Sequence, residues 1–325
     1  MSFPGFSIVV EWDNTRLGGV AQTRSMLERL APEVNNVTRA QPSLDPRAEV
    51  LMVYDRREVD DALVARLTDE FRRDVGGHVD VHIVPTTGLD YYQLKNVGAR
   101  RARGEVVVFI DSDVVPAAGW LGQLVQPFGD PTVEVVSGNS SVIPDSLYGK
   151  TFALTWFFPL ATRDGPLEPA RYFFANNVAF RRALLEQHPF PNDPALFRGQ
   201  CAALADTLHA QGTRIVLNPC ARVGHRPPNG FRHFVRRALC HGHDTLIIVT
   251  RDDPGAARLR RSLDRFRDNV KDAFDRIRRD HRAVGLPSSQ LPYALAIAVS
   301  YYALYFVGEV ITRFRPGLVR RRFSI

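Results

Sequence analysis

Cysteine is scarce in this sequence. The 325 residues hold three, Cys201, Cys220 and Cys240, with no CxxC spacing and no even count. A disulfide framework and a cysteine-built zinc site are therefore not expected, and a reducing compartment is. The N-terminus, MSFPGFSIVVEW, lacks a basic segment followed by a long apolar one, so no signal peptide is expected and the location reads as cytoplasmic. Acidic balance is missing at one end only. Residues 251–325 carry 16 Lys and Arg against 8 Asp and Glu, whereas residues 1–250 are close to neutral. The formal net charge of +7 thus belongs to the tail.

What is present is a globular protein. Apolar residues make up 45% and charged residues 24% of the chain, enough for a large core and for one large domain or two ordinary ones. Buried strands read at Phe6 to Val10, Ala48 to Tyr54, Val79 to Val84 and Val106 to Ile110. Between them lie segments of helical period, among them Val59 to Val75 and Tyr91 to Arg103, the latter stopped by Gly104. Alternating strands and helices predict βαβ units and a mostly parallel sheet flanked by helices. Further strands are expected at Val133 to Asn139, Tyr172 to Arg182, Arg214 to Leu217 and Ala221 to His225.

One stretch organises the rest, Gly104 to Pro116 (GEVVVFIDSDVVP). A β-branched apolar run reads as a strand buried on both faces, and it ends abruptly in Asp111-Ser112-Asp113. Ligands of open α/β sheets bind at the carboxyl ends of strands. Side chains alternate along a strand, so Asp111 and Asp113 point the same way, as two oxygen ligands of a divalent cation should. A strand-end turn rich in Asp and Ser is the bland alternative.

The tail, residues 251–325, differs in kind from residues 1–250. Leu259, Leu263, Phe266, Val270, Phe274 and Ile277 recur at helical spacing with Arg and Asp between them, an amphipathic helix. Leu291 to Val307 follows without a charge until Glu309. Seventeen residues is the short limit for a membrane span, so two readings stay open: a helix packed on the body, or attachment at an anionic membrane. Tyr301, Tyr302, Tyr305 and the arginines from Arg313 onward suit the inner face of a cell membrane. Nucleic acid has no use for so apolar a segment and is not expected as a partner.

In this order, the motifs resemble those of the family 2 glycosyltransferases of GT-A fold. A first strand ends in Glu11 and a second in Asp55; Lys95-Asn96-Val97-Gly98 precedes the Asp-Ser-Asp strand. Ala175 to Arg182 (ANNVAFRR), a helix before Gly212, and Pro219-x-Ala-x-Val-x-His225 follow. The resemblance covers about residues 6–230 and implies a Rossmann-like body, residues 1–250, with the helical tail as an extension. It implies a UDP- or GDP-linked sugar as donor, Mn2+ or Mg2+ as cofactor, and a glycan or lipid as acceptor. Glu11 and Asp55 would contact the nucleoside, and Lys95 the diphosphate or base. Asp111 would bind ribose or metal, Asp113 and His225 the metal. Asn177 and Gln200 would line the acceptor side, while Arg236, Arg237 and His243 lie in a segment that would close over the diphosphate. The loop Ala161 to Arg171 would help set specificity.

Here the sequence departs from the family. The catalytic base belongs to a Glu-Asp pair whose position is occupied by Gln200-Cys201. Glutamine cannot take a proton, and a thiolate is a poor acceptor of one from an alcohol. A displaced carboxylate such as Asp193 could serve instead, or the acceptor could already be an anion, or the fold could bind sugar nucleotides with little or no transfer. A nucleotidyltransferase would show a basic Gly-rich loop after strand one. Leu17-Gly18-Gly19-Val20 lacks the basic residues and reads as a helix start.

Overall fold

The structure, a computed structural model, describes residues 5–40, 48–160 and 164–323; the first part of the Ala161–Arg171 loop lies outside them. The chain runs β1 (Phe6–Glu11), α1 (Thr15–Gly18), α2 (Val20–Ala40), β2 (Glu49–Asp55), α3 (Asp61–Val75), β3 (Asp80–Thr86), α4 (Tyr91–Arg101) and β4 (Val106–Asp111). It continues through β5 (Val114–Pro116), α5 (Trp120–Val125), β6 (Val135–Val142), α6 (Leu147–Thr155), β7 (Glu168–Pro169), β8 (Asn177–Arg181) and α7 (Arg182–Gln187). Last come α8 (Gln200–Ala210), β9 (Ile215–His225), α9 (Gly230–Asp252), α10 (Leu259–Asp280), α11 (Leu291–Phe314) and α12 (Pro316–Phe323).

Two compact units result, and the first gathers residues 1–140, 161–192 and 200–225. Its sheet has the order β3-β2-β1-β4-β8-β6-β9-β5, with β7 also on β9. β3, β2, β1 and β4 run parallel and supply the expected βαβ half. From β8 onward the pairing is antiparallel. The central strands are buried along their whole length, which is why they read as unbroken β-branched runs. Helices cover both faces, giving one core around Ile8, Met26, Leu30 and Trp120 and another around Val9, Leu94, Phe109 and Phe180.

Two strand boundaries differ from the sequence reading. β8 starts only at Asn177, so Tyr172 to Asn176 are not strand. The two short strands expected around Arg214 and His225 are one, β9, which runs straight through Pro219. Proline lacks the amide that a ladder needs; Pro219 lies outside the stretches of β9 paired with β7 and with β5, while β6 pairs with β9 as well.

The second unit gathers residues 141–160, 193–199 and 226–325. The division therefore falls earlier than residue 250, with α6 and α9 joining the tail helices. α9 and α11 cross through glycines. A Cβ on Gly242 would sit 1.9 Å from the Tyr305 carbonyl oxygen, and one on Gly308 would sit 2.2 Å from that of Leu239. The amphipathic α10 packs Ala273 and Ile277 against Ala294 and Ala298 of α11. Glu309, the one charge in the middle of α11, is fully buried and takes a two-pronged hydrogen bond from Arg265, at 2.8 and 2.6 Å. The opposite face of α11 is apolar and open: Tyr293, Val307 and Phe314 are exposed, and Ile297, Leu304 and Ile311 partly so. Among the described residues, the segment Ser288–Phe314 is the one helical stretch long and apolar enough to cross a membrane.

Candidate active site

The site forms where β1 and β4 end side by side. Parallel register sets Glu11 directly opposite Asp111, so two carboxylates meet at the carboxyl edge of the sheet. Asp113 follows one strand-period later. Asn14, just past β1, joins them: its side-chain amide donates to Asp111 Oδ2 at 3.1 Å and to Asp113 Oδ1 at 3.3 Å. Ser112, pointing the other way, accepts from Thr15 at 3.1 Å and so fixes the turn.

Lys95, expected at the diphosphate or base, turns inward from α4. It is wholly buried, and its ammonium lies 2.6 Å from Asp111 Oδ1 and 4.7 Å from the centre of the Tyr91 ring. Tyr91, one turn earlier on the same helix face, donates to Asp111 through its hydroxyl, 2.8 Å from Oδ2. Asp111 is thus a neutralised, hydrogen-bonded anchor. Its neighbours in the Lys-Asn-x-Gly motif have structural work as well. The Asn96 amide clamps the Phe190 backbone in both directions, at 2.9 and 3.0 Å. At Gly98 a Cβ would meet Val9 at 2.4 Å, so only glycine lets α4 lie this close to β1.

Asp113 faces His225 across the sheet. The β5–β9 pair sets Val114 opposite His225, and Asp113 Oδ2 lies 3.5 Å from His225 Nε2. Two ligand atoms at that spacing can both reach one cation at about 2.1 Å, subtending an angle near 110°. Among the described residues no group of three His, Cys, Asp or Glu side chains forms a complete cage. A cation would therefore need further oxygens from its ligand, as Mg2+ and Mn2+ do when they bridge phosphates.

The remaining expected residues divide into two groups. Asp55 is buried at the end of β2 and accepts the amides of Arg57 and Leu89, at 2.8 and 2.7 Å. Burial raises its pKa, but those two amides and the Arg57 guanidinium outweigh it and hold the carboxyl below its usual range. Glu11 is fully buried and accepts the Asp13 amide at 3.1 Å. Asn177 is not presented to a ligand. It too is fully buried, accepting from Trp120 Nε1 at 2.8 Å and donating to the Ala221 carbonyl at 3.0 Å, which ties β8 to β9.

Gln200 and Cys201 open α8. The Cys201 sulfur contacts the Tyr92 hydroxyl at 3.2 Å, and burial pushes its thiol pKa up, which makes it a poor nucleophile and a poor base. Four expected residues lie in the second unit. His243 on α9 is buried, with Nδ1 on Thr312 at 2.8 Å and Nε2 on the Ala195 carbonyl at 2.9 Å, so its ring is spent on internal bonds. Burial also lowers its pKa. Arg236 and Arg237 are partly exposed on the same helix. Asp193 ion-pairs with Arg251 and accepts the Ala195 amide at 2.9 Å. Although burial raises its pKa, these partners bring it below the usual carboxylate range, so its affinity for a proton is weak.

Asn14 and Tyr91 were missed by sequence reasoning. Tyr91 had a signal, its four-residue spacing from Lys95. Asn14 had none beyond its place in a strand-end loop.

Comparisons with known proteins agree with this geometry. Residues 40–188 match the model of the glycosyl transferase family 2. The "Pre-mycofactocin glycosyltransferase" of Mycobacterium tuberculosis is 27% identical over 191 residues, 57% of this chain and 40% of that protein. The chain thus spans less than half the length of that curated relative. Among solved structures, a mannosyltransferase from Pyrobaculum calidifontis, in complex with GDP-Man and Mn2+, superimposes with a TM-score of 0.57 at 19% identity. The alignment covers 97% of this chain and 88% of that one. Residues 1–349 of S. aureus TarS, in complex with UDP-GlcNAc, give 0.50 at 15% identity, covering 95% and 92%. At these identities the likeness establishes the shared GT-A fold.

Proposed function

We propose that the protein is a metal-dependent glycosyltransferase that moves a sugar from a UDP- or GDP-linked donor to a glycan or lipid acceptor, with inversion at the sugar carbon. The observation that carries this is the Asp113–His225 pair beside Asp111 at the carboxyl edge of the sheet. Asp113 and His225 would hold a divalent ion whose role is to offset the negative charge that develops on the departing diphosphate. The GDP-Man and Mn2+ bound to the Pyrobaculum neighbour support a donor and an ion of this kind. Lys95 cancels the charge of Asp111, so the set does not repel an incoming diphosphate as two bare carboxylates would. Asn14 keeps both carboxylates in one orientation, and Glu11 and Asp55, at the ends of β1 and β2, flank the place for the nucleoside.

We further propose that the second unit attaches the protein to the inner, anionic face of a membrane. The open apolar stripe of α11 supports this, together with Arg313, Arg315 and Arg320 to Arg322 at its end, where a headgroup region would meet them.

Calorimetry with UDP and GDP, with and without Mn2+, tests the donor half. Binding that requires Mn2+, and that Asp113→Asn weakens at least tenfold, is the expected result. Absence of any metal-dependent nucleotide binding would overturn it.

A further inference from the structure

By length and composition alone, α11 could cross a bilayer. Its 24 residues make about 36 Å of helix, more than the hydrocarbon core of about 30 Å. Yet α11 is open along one side only. Tyr293, Ile297, Leu304, Val307, Ile311 and Phe314 recur at three, four and seven residues, a stripe from its first turn to its last. No charge interrupts the stripe before Arg313, and Arg315 follows, with Arg320 to Arg322 beyond on α12.

The other sides of α11 are fastened to neighbours by polar contacts. Tyr302 donates to the Thr155 carbonyl at the end of α6, at 2.6 Å, and Thr312 meets His243 of α9 at 2.8 Å. α10 runs antiparallel to α11 along nearly all of its length. Arg265 stands at Glu309, Phe266 at Phe306 with ring centres 5.8 Å apart, and Ala273 and Ile277 at Ala294 and Ala298. The middle turns of α10 carry Arg267, Asp268, Lys271, Asp272, Asp275 and Arg276, all exposed. A bilayer that held α11 from end to end would have to take these charges towards its middle, which hydrocarbon resists. Nor can α11 leave α10 behind. Glu309, fully buried, would then enter lipid without Arg265, its partner in two hydrogen bonds.

We infer that α11 lies flat in the headgroup boundary of an anionic bilayer, with its stripe dipping into the acyl chains along the whole helix, and that it does not cross. This deepens, and rests on, the membrane reading above. A helix in the plane of the interface binds through the apolar area it buries and through the pull of anionic lipid on basic residues. The stripe supplies the first over about 30 Å of helix. Arg313, Arg315 and Arg320 to Arg322 supply the second. The charges in the middle of α10 then stay on the water side, and the Arg265–Glu309 pair stays intact within the protein. Both ends of α11 sit at one depth, Tyr293 and Phe314 as much as Leu304.

Three variants of the full chain, Tyr293→Trp, Leu304→Trp and Phe314→Trp, test the inference when added to preformed phosphatidylglycerol vesicles. The vesicles carry a nitroxide lipid, labelled either just below the headgroup or at the end of the acyl chain. Tryptophan quenching gained over wild type should agree within about twofold among the three positions, and the shallow label should quench more than the deep one at each. Strongest deep quenching at Leu304→Trp, with the two end positions shallow, would mean that α11 crosses and would overturn the inference. Val307→Trp takes the place of Leu304→Trp if that variant fails to fold. Vesicle binding without added quenching at any position would remove the stripe from the contact. A dimer in solution that Phe314→Ser dissolves, with no vesicle binding, would give the stripe to a second copy of the chain instead. Absence of vesicle binding by the wild-type protein sinks the membrane reading and this inference together, whereas unequal depths sink this inference alone.

Discussion

Lys95 is the residue on which the site's charge balance turns. Buried with Asp111 at 2.6 Å, it is stabilising only as a pair. Removing one member of such a pair leaves an uncompensated buried charge, which costs several kcal/mol. Asp111 keeps Tyr91 and Asn14, so the lower end applies. Lys95→Met should cost about 3 kcal/mol, and a thermal melt should show a drop of about 6–12 °C. A loss of nucleotide affinity without loss of stability would show instead that Lys95 touches the donor. Asp244 offers a second test at this scale, through pH. Its folded pKa of about 7 lies above the unfolded value of 3.8, because burial disfavours the charged form. The unfolded carboxyl ionises first, so the folded state holds the extra proton between about pH 4 and pH 7. The Asp244 contribution is then fully present below pH 4 and is lost as pH rises to about 7. The slope of melting temperature against pH in that window should differ between wild type and Asp244→Asn. Identical slopes would mean that Asp244 titrates normally beside Arg198, Arg237 and Cys240.

At the scale of elements, the α9–α11 crossing depends on absent side chains. A methyl group at Gly308 would need the Leu239 carbonyl oxygen, 2.2 Å away, to retreat by more than an ångström. Gly308→Ala should therefore destabilise the helical unit by about 2 kcal/mol, in the range found for overpacked cores. A melt unchanged from wild type would show that the two helices can separate freely. The elements themselves were largely legible in the sequence. β1, β2 and β4 are buried on both faces, so they read as apolar runs, and polar residues at Glu11, Asp55 and Asp111 marked their ends. The continuity of β9 was hidden, because Pro219 reads as a breaker, yet the strand runs through it from Ile215 to His225. Partners were hidden too. A short motif tells that Lys95 and Asn177 matter but not which way they face. Both turn inward, to Asp111 and to the Trp120–Ala221 pair. His243 looked like a donor ligand by its place after Arg236, yet its contacts with Thr312 and Ala195 depend on tertiary packing that no local pattern encodes.

At the scale of the molecule, charge and apolar surface are concentrated in one part of the chain. The basic excess of residues 251–325 and the open face of α11 belong to the same unit, and together they form the proposed membrane contact. Cosedimentation should therefore be stronger with vesicles containing phosphatidylglycerol than with phosphatidylcholine alone. It should weaken from about 0.1 M to 1 M salt, where the Debye length falls from about 10 to 3 Å. Phe314→Ser, which removes an exposed aromatic side chain from α11, should reduce it further. Equal binding to both vesicle types would remove the electrostatic part of the attachment.

The β5–β9 pair has a consequence for chain entropy. β5 is three residues long and ends the sheet, the kind of edge that opens locally before the rest of a domain unfolds. Yet it carries Asp113 to His225, a partner more than a hundred residues further along the chain. An ion shared by those two side chains would act as a reversible cross-link closing a very long loop, where the entropy removed from the open ensemble is large. Deuterium uptake at Val114 to Pro116 and at Val223 to His225 should then slow when Mn2+ and a nucleoside diphosphate are added. Uptake in α3, far along the sheet, should stay the same. The weakest edge of the sheet would become a latch that the substrate itself fastens.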